Sequence, residues 1–81
     1  MKLRLSERFT YYGEKQDNQP HGKGCIMENG IKHKVGDFNH GELHGMGFEY
    51  DKNERKIYKG QFKDGRYDGI GTYFDYSIEK N

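Results

Sequence analysis

Proline and cysteine each occur once in this 81-residue chain, tryptophan is absent, and no apolar run approaches membrane-spanning length. The lone thiol, Cys25, cannot form an internal disulfide, which agrees with a reducing compartment. A catalytic thiol would need an activating partner, so a packed strand cysteine is the expected role. The opening Met1-Lys2-Leu3-Arg4-Leu5 lacks the continuous apolar stretch of a signal peptide. An intracellular, cytoplasmic protein is expected, with membrane or cytoskeletal association left open. Net charge is scarce as well: 14 Lys and Arg against 13 Asp and Glu leave +1, too little to attract phosphate polymers or anionic lipid except through local clustering. Nucleic acid is therefore not an expected partner. Aliphatic residues are few and 33% of the chain is charged, a composition that suggests disorder only when net charge is also large.

Glycine and aromatic residues are abundant: twelve Gly, seven Tyr and five Phe describe a chain of many turns with an aromatic interior, which favours β structure. The glycines are periodic. Gly13-Glu14 recurs as Gly36-Asp37 and Gly60-Gln61, at separations of 23 and 24 residues. The same shifts carry Gly22-Lys23-Gly24 onto Gly45-Met46-Gly47 and Gly69-Ile70-Gly71. Tyr11, Lys34 and Tyr58 precede the first glycine by two, Lys15, Phe38 and Phe62 follow it by two, and Asn18, Gly41 and Gly65 mark a turn.

Within each unit Tyr11 to Lys15, Lys34 to Phe38 and Tyr58 to Phe62 alternate as strands do, a turn of six or so residues follows, and Gly24 to Met27, Gly47 to Tyr50 and Gly71 to Phe74 return. The expected fold is all-β: an elongated, curved, single antiparallel meander of about three stacked hairpins, six strands, and no helix longer than a turn or two. Asn18, Gly41, Gly65 and Gly30 stand where turns need positive φ. The Gly-X-Gly pairs lie inside a strand, where a missing side chain permits a bend or the close approach of a ring. Leu3 and Leu5, alternating with Lys2 and Arg4, can add a strand over one edge, and self-association as a homodimer through the open edges is expected. The chain divides into a cap at 1–10, units at 11–33 and 34–57, and a third unit with a C-terminal tail at 58–81.

These columns resemble the MORN repeat: Tyr-X-Gly, an aromatic, a turn glycine, Gly-X-Gly and a second aromatic patch. The third unit, Tyr58-Lys59-Gly60-Gln61-Phe62 through Gly65 to Gly69-Ile70-Gly71-Thr72-Tyr73, carries the pattern most fully. The second loses the leading tyrosine to Lys34, and the first has Lys15 for the aromatic and Asn18 for the turn glycine, which suits a cap. The resemblance implies a sheet whose aromatic groove contacts another protein or, in some cases, lipid head groups. Enzymes that bear such arrays keep their chemistry elsewhere, so a chain of three repeats starting at its own Met looks like an accessory subunit or regulatory binder.

The candidate docking residues are Phe38, Tyr50, Tyr58, Phe62 and Phe74, whose register places rings along one sheet face for a larger protein partner. Lys52, Arg55, Lys56, Lys59, Lys63 and Arg66, interleaved with rings, form the alternative site, a contact for anionic phospholipid at a membrane surface. His21, His33, His40 and His44 invite a metal reading, but the spacing is not that of a zinc site and equivalent positions lie a hairpin apart. No metal or cofactor is expected. Carboxylates such as Asp64 and Asp68 read as solvated turn charges, and no nucleophile or phosphate-loop motif occurs, so no enzymatic activity is expected.

Overall fold

Four two-residue turns set the architecture. Asp17-Asn18, Asn29-Gly30, His40-Gly41 and Asp64-Gly65 all have positive φ at both positions, the geometry whose twist matches that of paired strands. The computed structural model describes residues 2–76; the last residues, 77–81, of the third unit and tail expected at 58–81 lie outside them. Seven strands, β1 (Lys2–Arg4), β2 (Phe9–Gln16), β3 (Gln19–Glu28), β4 (Ile31–Asn39), β5 (Glu42–Tyr50), β6 (Lys56–Lys63) and β7 (Arg66–Tyr73), pair in chain order as one antiparallel sheet. The sheet measures 48 × 28 × 15 Å, and among the described residues there is no helix.

The seventh strand is the N-terminal one: Lys2, Leu3 and Arg4 pair with Tyr12, Tyr11 and Thr10. Leu3 packs against the core, whereas the expected alternation breaks at Leu5, which turns away to let its amide bond Phe9 O at 2.9 Å and is left exposed. The six-residue turns expected within each unit are corrected to two residues. His21-Gly22-Lys23 stay in the sheet as a bulge opposite the single Glu14, between the pairs Gly13 with Gly24 and Lys15 with Pro20. Gly22 at φ 96° supplies the kink, the bend expected of a Gly-X-Gly pair inside a strand. The other hairpins repeat the bulge between Gly36 and Phe38 and between Gly60 and Phe62.

The extra residue of the second period falls in the link Asp51 to Arg55, where the first link has only Asn29-Gly30. Asp51 caps that link by accepting the amides of Asn53 at 2.8 Å and Arg55 at 2.9 Å.

Paired residues share a face, so the register sorts side chains into two sets. On one face Gly13, Gly24, Gly36, Gly47, Gly60 and Gly71 pair in an unbroken row across six strands. Rings lie down in that trough. A Cβ on Gly24 would overlap the Tyr11 ring and one on Gly71 the Tyr58 ring, while Leu43 and Phe62 fill the same place over Gly47, compensating for Lys34 at the tyrosine position. Tyr11, Ile26, Phe38, Leu43, Tyr58 and Phe62 form the core, with Tyr11 edge-on to Phe38 and Tyr58 edge-on to Phe62. In the first hairpin buried Pro20 stands where the second has Leu43 and the third Tyr67.

Hairpins are also joined at their turns. Gly41 N donates to Pro20 O and Gly65 N to Leu43 O, both at 2.9 Å. Beside them His40 N donates to His21 Nδ1 at 3.5 Å and Asp64 N to His44 Nδ1 at 3.4 Å, so each hairpin's turn docks on its predecessor.

Candidate docking surface

The glycine trough closes the core face over itself, and that decides which residues a partner can reach. Phe38, Tyr58 and Phe62, expected as exposed anchors, are interior, with Tyr58 only 1% exposed. Their exposure is corrected for a physical reason: without Cβ atoms in the central row, rings fold flat against backbone instead of standing into solvent. Phe74 follows β7 half-buried, its amide bonded to Ile57 O at 3.1 Å. Tyr67 and Tyr73 close the end of the trough over Tyr58, Tyr67 stacking on it at 3.9 Å. The Tyr67 hydroxyl donates to Glu49 Oε1 at 2.7 Å; burial first, then that carboxylate, pushes its pKa far above the ordinary tyrosine value.

Tyr50 lies on the opposite, open face. There Tyr12 pairs with Cys25, Cys25 with Val35 and Val35 with Phe48, an apolar row crossing β2 to β5. Lys2, paired with Tyr12, caps one end, and Lys59, paired with Phe48, caps the other. Tyr12 is 45% exposed, and on the flanks Met46 is 52% and Ile70 84% exposed. Lys23, Gly24, Val35, Gly36, Asp37, Met46 and Phe48 line a shallow groove of about 270 Å³ along the row. Sequence reasoning missed this face because it followed the column containing the larger rings. The signal was present in the other phase of the same alternation, Tyr12 beside Tyr11 and Val35 between Lys34 and Gly36.

The six basic residues do not form one cluster. Lys56 and Lys59 belong to the open face, Lys63 and Arg66 pair beside the last turn, and Lys52 and Arg55 sit in the β5–β6 link. Arg55 is taken up by Asp51 at 3.2 Å. The structure adds Lys32, whose Nζ lies 5.0 Å from the Tyr50 ring centre, as Lys56 Nζ lies 5.3 Å from that of Phe48.

Cys25 is half-buried in the apolar row, its Sγ 3.6 Å from Met27 Sδ, and burial pushes its thiol pKa up, which disfavours the thiolate. The histidines are dispersed: His21 meets His40 ring to ring at 5.4 Å, His44 faces Asp64 at 3.7 Å, and His33 faces Glu28 at 3.9 Å. Among the described residues no three His, Cys, Asp or Glu side chains converge as metal ligands would. A second hollow, of about 550 Å³, lies at the link end, where Lys32, Tyr50 and Lys52 meet Glu28, Glu49 and Asp51. Its Glu28 is held below the usual carboxylate range by the Arg8 hydrogen bond at 2.8 Å, and Asp51 by the Arg55 amide.

Compared with known families, the chain matches the MORN repeat model three times, over residues 11–30, 35–54 and 58–77. No curated protein is detectably similar to the chain.

Proposed function

The chain belongs to the MORN-repeat family, whose repeats are non-catalytic modules that bind proteins or membranes, and from that premise we propose that it is a protein-binding module acting as an accessory or regulatory subunit. The observation that carries this reading is the asymmetry of the two faces. The core face is filled by its own rings, whereas the open face leaves Tyr12, Met46 and Ile70 in solvent beside the half-buried Val35 and Phe48. A small domain does not need large exposed apolar side chains for stability, and grouped around a groove they suit an interface. Tyr50 and Phe48 serve as anchors, being broad rigid rings held by neighbouring lysines.

The test compares the native chain with a Tyr12→Ser/Met46→Ser variant in affinity capture from the native source, read by mass spectrometry. Both positions are exposed, so the variant keeps its fold, which circular dichroism checks. A protein retained by the native chain and lost by the variant supports the reading. Recovery of the same proteins by both would remove the open face as the docking site.

A further inference from the structure

The open face is charged as well as apolar, and the two properties are arranged together. Lys2, Lys23, Lys32, Lys56 and Lys59 share the face with the row from Tyr12 to Phe48. The acidic side chains beside them are already engaged. Asp37 is ion-paired to Lys23 at 3.1 Å, and Glu14 folds its Oε1 onto the Lys23 amide of the bulge at 2.8 Å. Lys2, Lys32, Lys56 and Lys59 have no ion-pair partner among the described residues. A chain of net charge +1 thus carries a locally basic sheet face: its carboxylates Asp37 and Glu14 are engaged at Lys23, and Glu54 of the neighbouring link accepts the Lys32 amide at 3.1 Å.

Resting on the docking reading above, we infer that the partner segment on this face is acidic: a short extended apolar run flanked by Asp or Glu. The apolar row crosses four strands, a distance of about 14 Å at the usual strand spacing, which matches four or five residues of extended chain. Lys2 and Lys59 stand at its two ends and Lys32 and Lys56 along one side. Carboxylates on either side of the apolar run therefore meet ammonium groups when its side chains enter the groove.

The geometry favours a peptide over the other anionic occupants. A bilayer surface is entered by apolar groups that project beyond the basic ones. Here the exposed apolar side chains Tyr12, Met46 and Ile70 are dispersed over three strands instead of forming one projecting group, while Val35 and Phe48 between them are half-buried and Lys56 Nζ lies over the Phe48 ring. Single-stranded nucleic acid binds by stacking bases on open ring faces. Phe48 and Tyr50 each already carry an ammonium group over the ring, from Lys56 and Lys32, which leaves less ring face for a base to stack on. What remains is a half-buried apolar row with Tyr12, Met46 and Ile70 standing around it and lysines at its ends and along one side.

The experiment selects a random peptide display library on the full chain, then measures the enriched peptides in solution by fluorescence anisotropy at low and high salt. Enrichment of apolar runs flanked by Asp or Glu is expected. Their affinity should fall about tenfold or more in a Lys32→Gln/Lys56→Gln/Lys59→Gln variant, and fall similarly with salt in the native chain. A Lys15→Gln variant, changed opposite Pro20 on the core side, should bind as the native chain does. Enriched peptides without acidic residues, lost on Tyr12→Ser/Met46→Ser, would overturn the acidic inference and leave the docking reading standing. Tighter binding of phosphatidylserine vesicles or of oligothymidylate than of any selected peptide would overturn it in favour of those ligands. A library yielding no binder at all would overturn the docking reading itself. Circular dichroism of each variant separates lost binding from lost fold.

Discussion

The hydroxyl of Tyr58 donates to the backbone carbonyl of Gln61 at 2.9 Å, so one side chain both fills the glycine trough and ties down the strand opposite the bulge. Tyr11 makes the same bond to Glu14 O in the first hairpin. The tyrosine of the repeat is therefore more than an aromatic filler. Tyr58→Phe keeps the ring and leaves the carbonyl without its donor, and should lower stability by about 1–2 kcal/mol. Tyr58→Ala removes the ring as well and should lower it by about 3–5 kcal/mol. Urea denaturation of the two variants against the native chain reads the difference; equal losses would show that the hydroxyl contributes nothing.

Gly24 and Gly30 are both required to be small or permissive, for unrelated reasons. A Cβ at Gly24 would collide with the Tyr11 ring, which has Gly13 and the Glu14 carbonyl on its other sides and nowhere to move. Gly30, at φ 82° in a turn, has open space around it and only a backbone requirement. Gly24→Ala should abolish or severely weaken folding, while Gly30→Asn, which tolerates that φ, should shift stability by no more than about 0.5–1 kcal/mol. Thermal unfolding monitored by circular dichroism ranks them.

Those two glycines also mark what the sequence could and could not disclose. The turn positions at Asn18, Gly41 and Gly65 were legible because positive φ has a compositional signature, whereas the two-residue length of those turns was not. The bend at Gly22 was legible too, as a Gly-X-Gly pair inside a strand; its form, three residues opposite the single Glu14, needs the pairing partner to show. The hairpin meander and its repeat number were legible from period and alternation. Which rings stay open was not: Phe38 and Phe62 look like Tyr50 in composition, and their burial depends on a glycine row assembled from six strands. Likewise, the basic stretch from Lys52 to Arg66 is compact in sequence but alternates between faces and a link once pleated, while Lys2 and Lys32 join the face from far away in the chain.

Asp51 predicts an acid dependence of stability. Ionised, it accepts the Arg55 and Asn53 amides and the Arg55 guanidinium, and the Arg55 amide above all holds its pKa below the usual aspartate value. A folded pKa below the unfolded one means the bonds stabilise the fold above the ordinary aspartate range near about 4, and that this contribution fades as pH falls through the lowered value. Asp51→Asn should therefore be less stable than the native chain at neutral pH, and the two unfolding midpoints should converge in acid. Parallel midpoints at every pH would count against the link cap.

All of β7 is solvent-exposed, and its outer edge has no strand partner among the described residues. Unpaired edges template further pairing. Sedimentation velocity at rising concentration should show reversible self-association, weakened by Ile70→Lys or Thr72→Pro on that strand. A strict monomer at all concentrations would exclude this edge as an assembly surface.

Phe62 and Tyr50 offer the sharpest separation of core from surface, since both were expected as docking anchors and the fold places them on opposite faces. Phe62 is buried against Tyr58, Tyr67 and the glycine row, so truncation leaves a cavity that neighbours pinned by edge-on contacts cannot close. Phe62→Ala should cost about 3–5 kcal/mol, close to the whole stability of a domain this size, and yield a largely unfolded chain. Tyr50 is half-buried at the end of β5, pairs only with Lys56, and has Lys32 over its ring. Tyr50→Ala should leave the strand signal intact and lower stability by about 1 kcal/mol, while weakening partner capture by at least about 1–2 kcal/mol. Circular dichroism with the capture assay reads both quantities from the same samples. If Tyr50→Ala unfolds the chain, or folds and binds unchanged, the ring is no anchor and the partner contacts must lie elsewhere on the open face.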